Sequence, residues 1–458
     1  MNTIAAISTA PGVGGIAVIR VSGPDAIGFC SSIFRSKCSL KEFESHTVHY
    51  GTITDADGSD IDDCVVTLFK APHSFTGEDT VEIACHGSQY IQQSILKSLI
   101  AKGCRMAEPG EFTKRAFLNG KMDLTGAEAV ADLIASTSAA AHKVALNQMR
   151  GGISLELEAM RGKLLDFTSL LELELDFSEE DVEFANRGQM LELLDTIKSK
   201  IEYLTKSFDA GNAIKNGVGV AIVGETNAGK STLLNLLLGE EKAIVSDIHG
   251  TTRDAIEDTA IIDGHLFRFI DTAGIRETKD KIENIGIKRS YSTIEKANVV
   301  LWVIDCTGLN EHIDWMAGKI LPRCEGKSLV LVFNKIDLLL EDEIPILENL
   351  FSGIDAPHIS ISAKKGDGID NLKKQLIDSA HLNTQQGSVI ITNMRHYEAL
   401  CTALNAINRV NEGLQSGLSG ELVSMDLHEC LDALGSITGQ IHSQEVLNNI
   451  FSKFCIGK

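Results

Sequence analysis

Residues 220–239 read VAIVGETNAGKSTLLNLLLG. The run from Val218 to Val223 is small, branched and apolar, and predicts a strand. Gly224-x-x-x-x-Gly229-Lys230-Ser231 follows at once, and closely spaced leucines after Thr232 predict a helix. A strand entering a glycine-rich turn that opens a helix is the context in which this motif holds phosphate. Glycines let the backbone curl so that its N–H groups surround phosphate oxygens, the helix N-terminus adds positive potential, and Lys230 adds a point charge. The candidate phosphate-binding residues here are Gly224, Asn227, Ala228, Gly229, Lys230, Ser231 and Thr232, with the Ser231 hydroxyl offered to Mg²⁺.

Three further elements follow in a fixed order. Thr251-Thr252-Arg253-Asp254 stands where a GTPase places the threonine that closes over Mg²⁺ and the terminal phosphate. Asp271-Thr272-Ala273-Gly274 ends the predicted strand HLFRFID, with a carboxylate for the Mg²⁺ side and a glycine N–H for the γ-phosphate. Asn334-Lys335-Ile336-Asp337 ends the strand LVLVFNKID. The Asp337 carboxylate accepts two hydrogen bonds, which matches the two donors on guanine's edge and not adenine. Ser362-Ala363-Lys364, after HISIS, resembles the last guanine-contacting loop. Each element alone reads as an ordinary turn; jointly they imply GTP. The glutamine that orients water in Ras-like proteins is absent, since Ile275 follows Gly274. Arg276, Glu277, Asp280 and Glu283 lie just downstream as polar candidates or as a solvated charged loop.

Around this segment the text changes character. Residues 1–120 read as mixed α and β, with strands at IAVIRVS, DCVVTLF and VEIACHG and a helix at SILKSLIAKG closing at Gly103. Residues 121–214 are helical, with Leu194, Ile197, Ile201, Leu204 and Phe208 on one stripe and an acidic run at Glu179–Glu183. Residues 215–382 alternate short strands with helices, the pattern of a parallel sheet, and QQGS at 385–388 reads as a linker into the helical residues 383–458. The expectation is a multidomain α/β and α protein whose α/β domain is inserted in a helical one.

The chain has 458 residues, enough for two or three cores, and a net charge of −21, which argues against a general attraction to nucleic acid. Its start, MNTIAAISTAPGVGG, lacks a signal-peptide pattern and no run is long enough for a membrane helix, so a cytoplasmic protein without a membrane partner is expected. Ten cysteines without a C-x-x-C pair argue against zinc and against a disulfide scaffold. One of them, Cys455, sits in the terminal FCIGK. Ile456, Gly457 and Lys458 do not suit a prenylation box, which leaves a packed cysteine, half of a disulfide or a reactive thiol.

FTGED at 75–79, PGEFTKRAFLNGKMDL at 109–124, GTTRD, DTAGIRET, IENIGI and the terminal CIGK together resemble the tRNA-modification GTPase MnmE (TrmE) family over essentially the whole chain. The resemblance implies an amino-terminal folate-binding α+β domain, an all-α domain and an inserted P-loop GTPase domain. It implies that Asn227, Ser246, Ile248 and Thr251 hold K⁺ in a loop that also includes Asp247, His249 and Gly250. His249 departs from the small residue or proline of many relatives. Thr252 joins Ser231 on Mg²⁺, and Glu283 positions the water. Arg20, Glu82, Lys121 and Lys458 are implied to contact a tetrahydrofolate derivative, either 5,10-methylenetetrahydrofolate or 5-formyltetrahydrofolate, and Cys455 to enter that site as a catalytic thiol. A homodimer is implied, as is a heterotetramer with the FAD-dependent protein MnmG that modifies the wobble uridine of tRNA. A ribosome-assembly GTPase shares Asn227 and the apolar residue after Gly274, and stands as the alternative.

Overall fold

The computed structural model describes residues 2–176, 187–240, 257–270, 293–308, 312–340, 343, 347, 349–381 and 389–457. It divides into two compact units. The first comprises Met1–Ala131, Gln148–Lys163 and Leu431–Lys458; the second comprises Asp132–Asn147 and Leu164–Cys430.

The first unit is built on seven strands, β1 (Ile4–Ile7), β2 (Gly14–Ser22), β3 (Phe34–Arg35), β4 (Thr47–Thr54), β5 (Asp60–Phe69), β6 (Thr80–Gly87) and β7 (Arg105–Met106), in the order β3-β4-β5-β6-β2-β1-β7. All pairs are antiparallel except β1 with β7. Side chains alternate between faces along a strand. Ala17, Ile19 and Val21 of β2, Cys64, Val66 and Leu68 of β5, and Val81, Ile83 and Cys85 of β6 fill the covered face. They form one core with Cys30 and Ile33 of the helix Ala26–Ile33 and with Ile95 and Leu99 of the helix Gln89–Ala101. Arg20 and Glu82 fall on the opposite face by the same alternation and pair directly across β2 and β6. The helix Gln89–Ala101 ends as its sequence suggests, with Gly103 at φ 113° two residues on.

The second unit holds β8 (Val218–Gly224), β9 (Asp258–Ile262), β10 (His265–Phe269), β11 (Val299–Asp305), β12 (Ser328–Asn334) and β13 (His358–Ile361), ordered β13-β12-β11-β8-β10-β9. Every pair is parallel except the edge hairpin of β9 and β10. Covered on both faces, β8 and β11 are buried over their first six residues, which explains their unbroken apolar text. Val220, Ile222, Leu301 and Val332 enter one core with Leu233 and Leu237 of the helix Lys230–Glu240, while Ala221, Val223, Trp302 and Phe333 enter the other.

The helical stripe is present with one modification. Leu194, Ile197, Ile201 and Leu204 are buried on the helix Arg187–Lys206, but Phe208 opens a separate helix, Phe208–Asn216. Ser207 makes the break. Its hydroxyl donates to the Leu204 carbonyl at 2.6 Å and accepts from the Ile391 N–H at 3.1 Å. One helix from each stretch of helical text packs within this unit, Arg187–Lys206 against Met394–Ser416, with Phe208 stacked on Tyr397 at 4.6 Å, while residues 148–163 and 431–458 belong to the first unit. The acidic run at 179–183 and the QQGS linker lie outside the described residues.

Gly211 lies against the backbone of the second stretch at Ile391. A Cβ there would lie 2.0 Å from the Ile391 carbonyl oxygen, a backbone atom with little room to yield. Gly211→Ala is expected to cost about 1–3 kcal/mol, as overpacking does. A lowered thermal midpoint, followed by circular dichroism, checks this; an unchanged midpoint would show that the segments separate easily.

Candidate functional site

The phosphate-binding turn leaves β8 at Gly224 and enters the helix at Lys230. Its backbone is bent where a side chain would obstruct it. Gly224 has φ 147°, and a Cβ there would meet the Val303 carbonyl of β11 at 2.2 Å. Gly229 has φ 96°, and a Cβ would fall 2.1 Å from Asn334 Nδ2. Asn227 adopts the left-handed conformation at φ 64°, which asparagine tolerates better than most residues. The Lys230 ammonium folds into this turn and donates to the carbonyls of Gly224 and Glu225 at 2.8 and 2.5 Å. Burial pushes its pKa down to about 8, only partly offset by Glu225. A half-desolvated amine inside a glycine-lined concavity fits an anion, and Ser231 and Thr232 follow it on the first turn of the helix.

Asn334 joins this turn to the loops that follow β12 and β13. Its Nδ2 donates to the Ala228 carbonyl at 2.7 Å, and its Oδ1 accepts from the Ala363 N–H at 3.0 Å. Asp337 is fixed by the Ser362 hydroxyl, which donates to Oδ1 at 2.8 Å, while Lys365 Nζ lies 4.0 Å from Oδ2. Ser362 also closes its own loop, its N–H donating to the Asp367 carbonyl at 3.0 Å. Gly224, Asn227, Ala228, Gly229, Lys230, Asn334, Lys335, Asp337, Ser362 and Ala363 thus meet at the carboxyl ends of parallel strands, where α/β sheets bind ligands. Lys364 follows Ala363 in that loop and is exposed. Ser246, Asp247, Ile248, His249, Gly250, Thr251, Thr252, Asp271, Thr272, Ala273, Gly274 and Glu283 lie outside the described residues.

One participant escaped the sequence reading. Asp305 ends β11 directly beside Asn334 and its Oδ2 lies 2.5 Å from Lys335 Nζ. Thr307 donates to Oδ1 through both its N–H, at 3.0 Å, and its hydroxyl, at 2.7 Å. Burial raises the Asp305 pKa, but Lys335 and Thr307 outweigh it and hold the carboxyl below its ordinary value. The available signal was a carboxylate closing an apolar strand, VVLWVID, at the level where the next strand ends in Asn334.

In the first unit, Arg20 is ion-paired with Glu82 through Nε at 2.9 Å and a terminal nitrogen at 2.8 Å. Its guanidinium lies over the rings of Phe75, at 5.3 Å, and Phe112, at 5.7 Å, which belong to the FTGED and PGEFTKRAFLNGKMDL stretches but carried no role in the sequence reading. Lys121 is exposed and donates to the Pro72 carbonyl at 3.1 Å, on the same loop that carries Phe75. The tail is docked on this unit. The Gly110 N–H donates to the Cys455 carbonyl at 3.3 Å, and the Ser8 hydroxyl donates to the Gly457 carbonyl at 3.0 Å. Cys455 itself is exposed and unbridged. Burial pushes the thiols of Cys85 and Cys104 up to about 11 and about 12, so these remain inert core groups. Lys458 lies outside the described residues.

A glycine-bent strand-to-helix turn on a parallel sheet, joined by Asn334 to the Ser362 loop that fixes Asp337, defines a P-loop GTPase fold. A family model described as the MnmE helical domain matches residues 124–455, and one described as the GTP-binding protein TrmE N-terminus matches residues 3–121. The tRNA modification GTPase MnmE of Bacteroides thetaiotaomicron is 56% identical over 464 residues, spanning 100% of this chain and 99% of the relative. That of Parabacteroides distasonis is 56% identical over 463 residues, spanning 100% of both, and that of Flavobacterium johnsoniae 50% identical over 463 residues, spanning 100% and 99%. The chain belongs to the MnmE (TrmE) family of tRNA-modification GTPases.

Lys230 gives the site a pH signature. Phosphate bound beside it favours the charged amine, so nucleotide binding takes up a proton once the free amine has begun to lose its own. GDP affinity is therefore flat below pH 8 and falls about tenfold by pH 9, by linkage. Fluorescence titration between pH 7 and 9 checks the slope, with Lys230→Ala expected to bind weakly and without that slope.

Proposed function

We propose that this GTPase is K⁺-stimulated and dimerisation-linked, and that with MnmG it installs an aminomethyl or carboxymethylaminomethyl group at C5 of the tRNA wobble uridine. The observation that carries this reading is Asn227, held left-handed at φ 64° inside the phosphate turn, where its amide can add an oxygen ligand beside those phosphates. Together with Ser246, Ile248 and Thr251 it would hold K⁺, while Ser231 and Thr252 would hold Mg²⁺. These cations supply charge neutralisation at the phosphates, the role of an arginine finger elsewhere. Glu283 would position the attacking water, which an apolar Ile275 cannot do.

The one-carbon unit would come from a tetrahydrofolate derivative bound near Arg20, Glu82, Lys121 and Lys458. A guanidinium–carboxylate pair flanked by two aromatic rings suits a flat polar heterocycle. The docked tail supports a role for Cys455 there, because its backbone is tied while its side chain stays exposed. We place the protein in the cytoplasm as a homodimer and divide it at 120, 214 and 382 into folate, helical and inserted GTPase domains. Its net charge of −21 assigns most of the tRNA affinity to MnmG.

GTP turnover in matched KCl and NaCl, with Glu283→Ala alongside, tests the catalytic half. Strong stimulation by K⁺ that the variant loses is expected; equal rates in both salts would remove Asn227 and the 246–251 loop from catalysis. The tail is tested separately. A Cβ on Gly457 would lie 2.1 Å from the Ile7 carbonyl, so Gly457→Ala is expected to dislodge FCIGK. Nucleoside mass spectrometry should then show unmodified wobble uridine while GTP turnover is retained.

A further inference from the structure

We propose that Asp305 is a positioning residue for guanine recognition, acting through Lys335. This rests on the reading of Asn334, Lys335 and Asp337 as the base-binding segment. After Asn334 the chain reverses through Lys335, whose φ of 67° is left-handed, into the short turn Ile336–Leu338 that carries Asp337. Such a conformation is unfavourable for a residue with a side chain and persists where surrounding contacts impose it. Two anchors do so. The first is the Asn334 amide, fixed to Ala228 and Ala363. The second is the Lys335 ammonium, fixed to Asp305.

Asp305 is itself oriented. Thr307 occupies Oδ1 with two donors, which leaves Oδ2 facing Lys335 across the register pair of Asp305 with Asn334. Both charged side chains are mostly shielded, 20% exposed for Asp305 and 31% for Lys335. The pair is therefore screened less than a surface ion pair. Ser362 orients Asp337 from the other side, at 2.8 Å. Without Asp305 the turn has one anchor fewer, and the Asp337 carboxylate loses its fixed angle to the two donors of guanine. Discrimination of guanine from hypoxanthine, which lacks the exocyclic amine, depends on that angle.

The test uses the full-length protein and fluorescent GDP, with GDP and IDP as competitors. Asp305→Asn keeps the shape and removes the charge. It is expected to weaken GDP about tenfold, the scale of a lost charge-assisted hydrogen bond, and to lower the GDP-to-IDP affinity ratio; Asp305→Glu should restore part of both. In a Lys335→Met background, Asp305→Asn should have no further effect. Wild-type affinities and ratio in Asp305→Asn, or an equal additional loss in the Lys335→Met background, would overturn the proposal. Asp337→Asn tests the underlying reading alone. If it leaves the preference for GDP over XDP unchanged, the guanine assignment fails; if it shifts that preference toward XDP while Asp305→Asn stays silent, only the role of Asp305 fails.

Discussion

The nucleotide end of this protein depends on one side-chain amide. Asn334 is 2% exposed, and it uses a donor on the phosphate turn and its acceptor on the Ser362–Lys364 loop. Buried polar atoms left unmatched cost about 1–3 kcal/mol each. The arrangement is thus enforced in both directions: the loops hold the amide, and the amide holds the loops. It is possible only because β8, β12 and β13 run parallel and end at the same edge, so that residues more than a hundred positions apart, Ala228 and Asn334, are neighbours.

Around that amide the backbone departs from ordinary conformations. Gly224, Asn227, Gly229 and Lys335 all have positive φ, and the two glycines approach neighbouring atoms too closely for any side chain. Lys230 is half-buried among carbonyls, and among the described residues no carboxylate is in hydrogen-bonding contact with it. Strain and incomplete charge compensation gather at the place where a polyanion would relieve them, and the apolar strands beneath supply the rigidity that maintains them.

The sheet of the second unit was legible because buried parallel strands leave continuous runs such as VAIVG and VVLWVID, and the phosphate turn because only glycine suits its bends. The helix stripe at Leu194–Leu204 was legible for the same periodic reason, but its interruption at Ser207 was not, since the partner of that hydroxyl, Ile391, lies 184 residues away. Asp305 was missed because a carboxylate at a strand end is ordinary until the neighbouring register is known. The surroundings of Arg20 were opaque for a similar cause. Phe75 and Phe112 come from separate stretches, and no periodicity in IAVIRVS announces that they converge on one guanidinium.

The contact between Ser8 and Gly457 spans 449 positions and carries a temporal consequence. Synthesis proceeds from the amino terminus at about 5–20 residues per second, so Ser8 emerges roughly 20–90 s before its partner has been made. During that interval the strands of the first unit can pair with one another, since every strand of that sheet lies within the first 106 residues. The patch formed by Ile7, Ser8 and Gly110 cannot be covered until residues 455–457 have been made. Covering of this surface therefore follows the pairing of the strands beneath it, and a copy truncated before residue 455 would leave it bare.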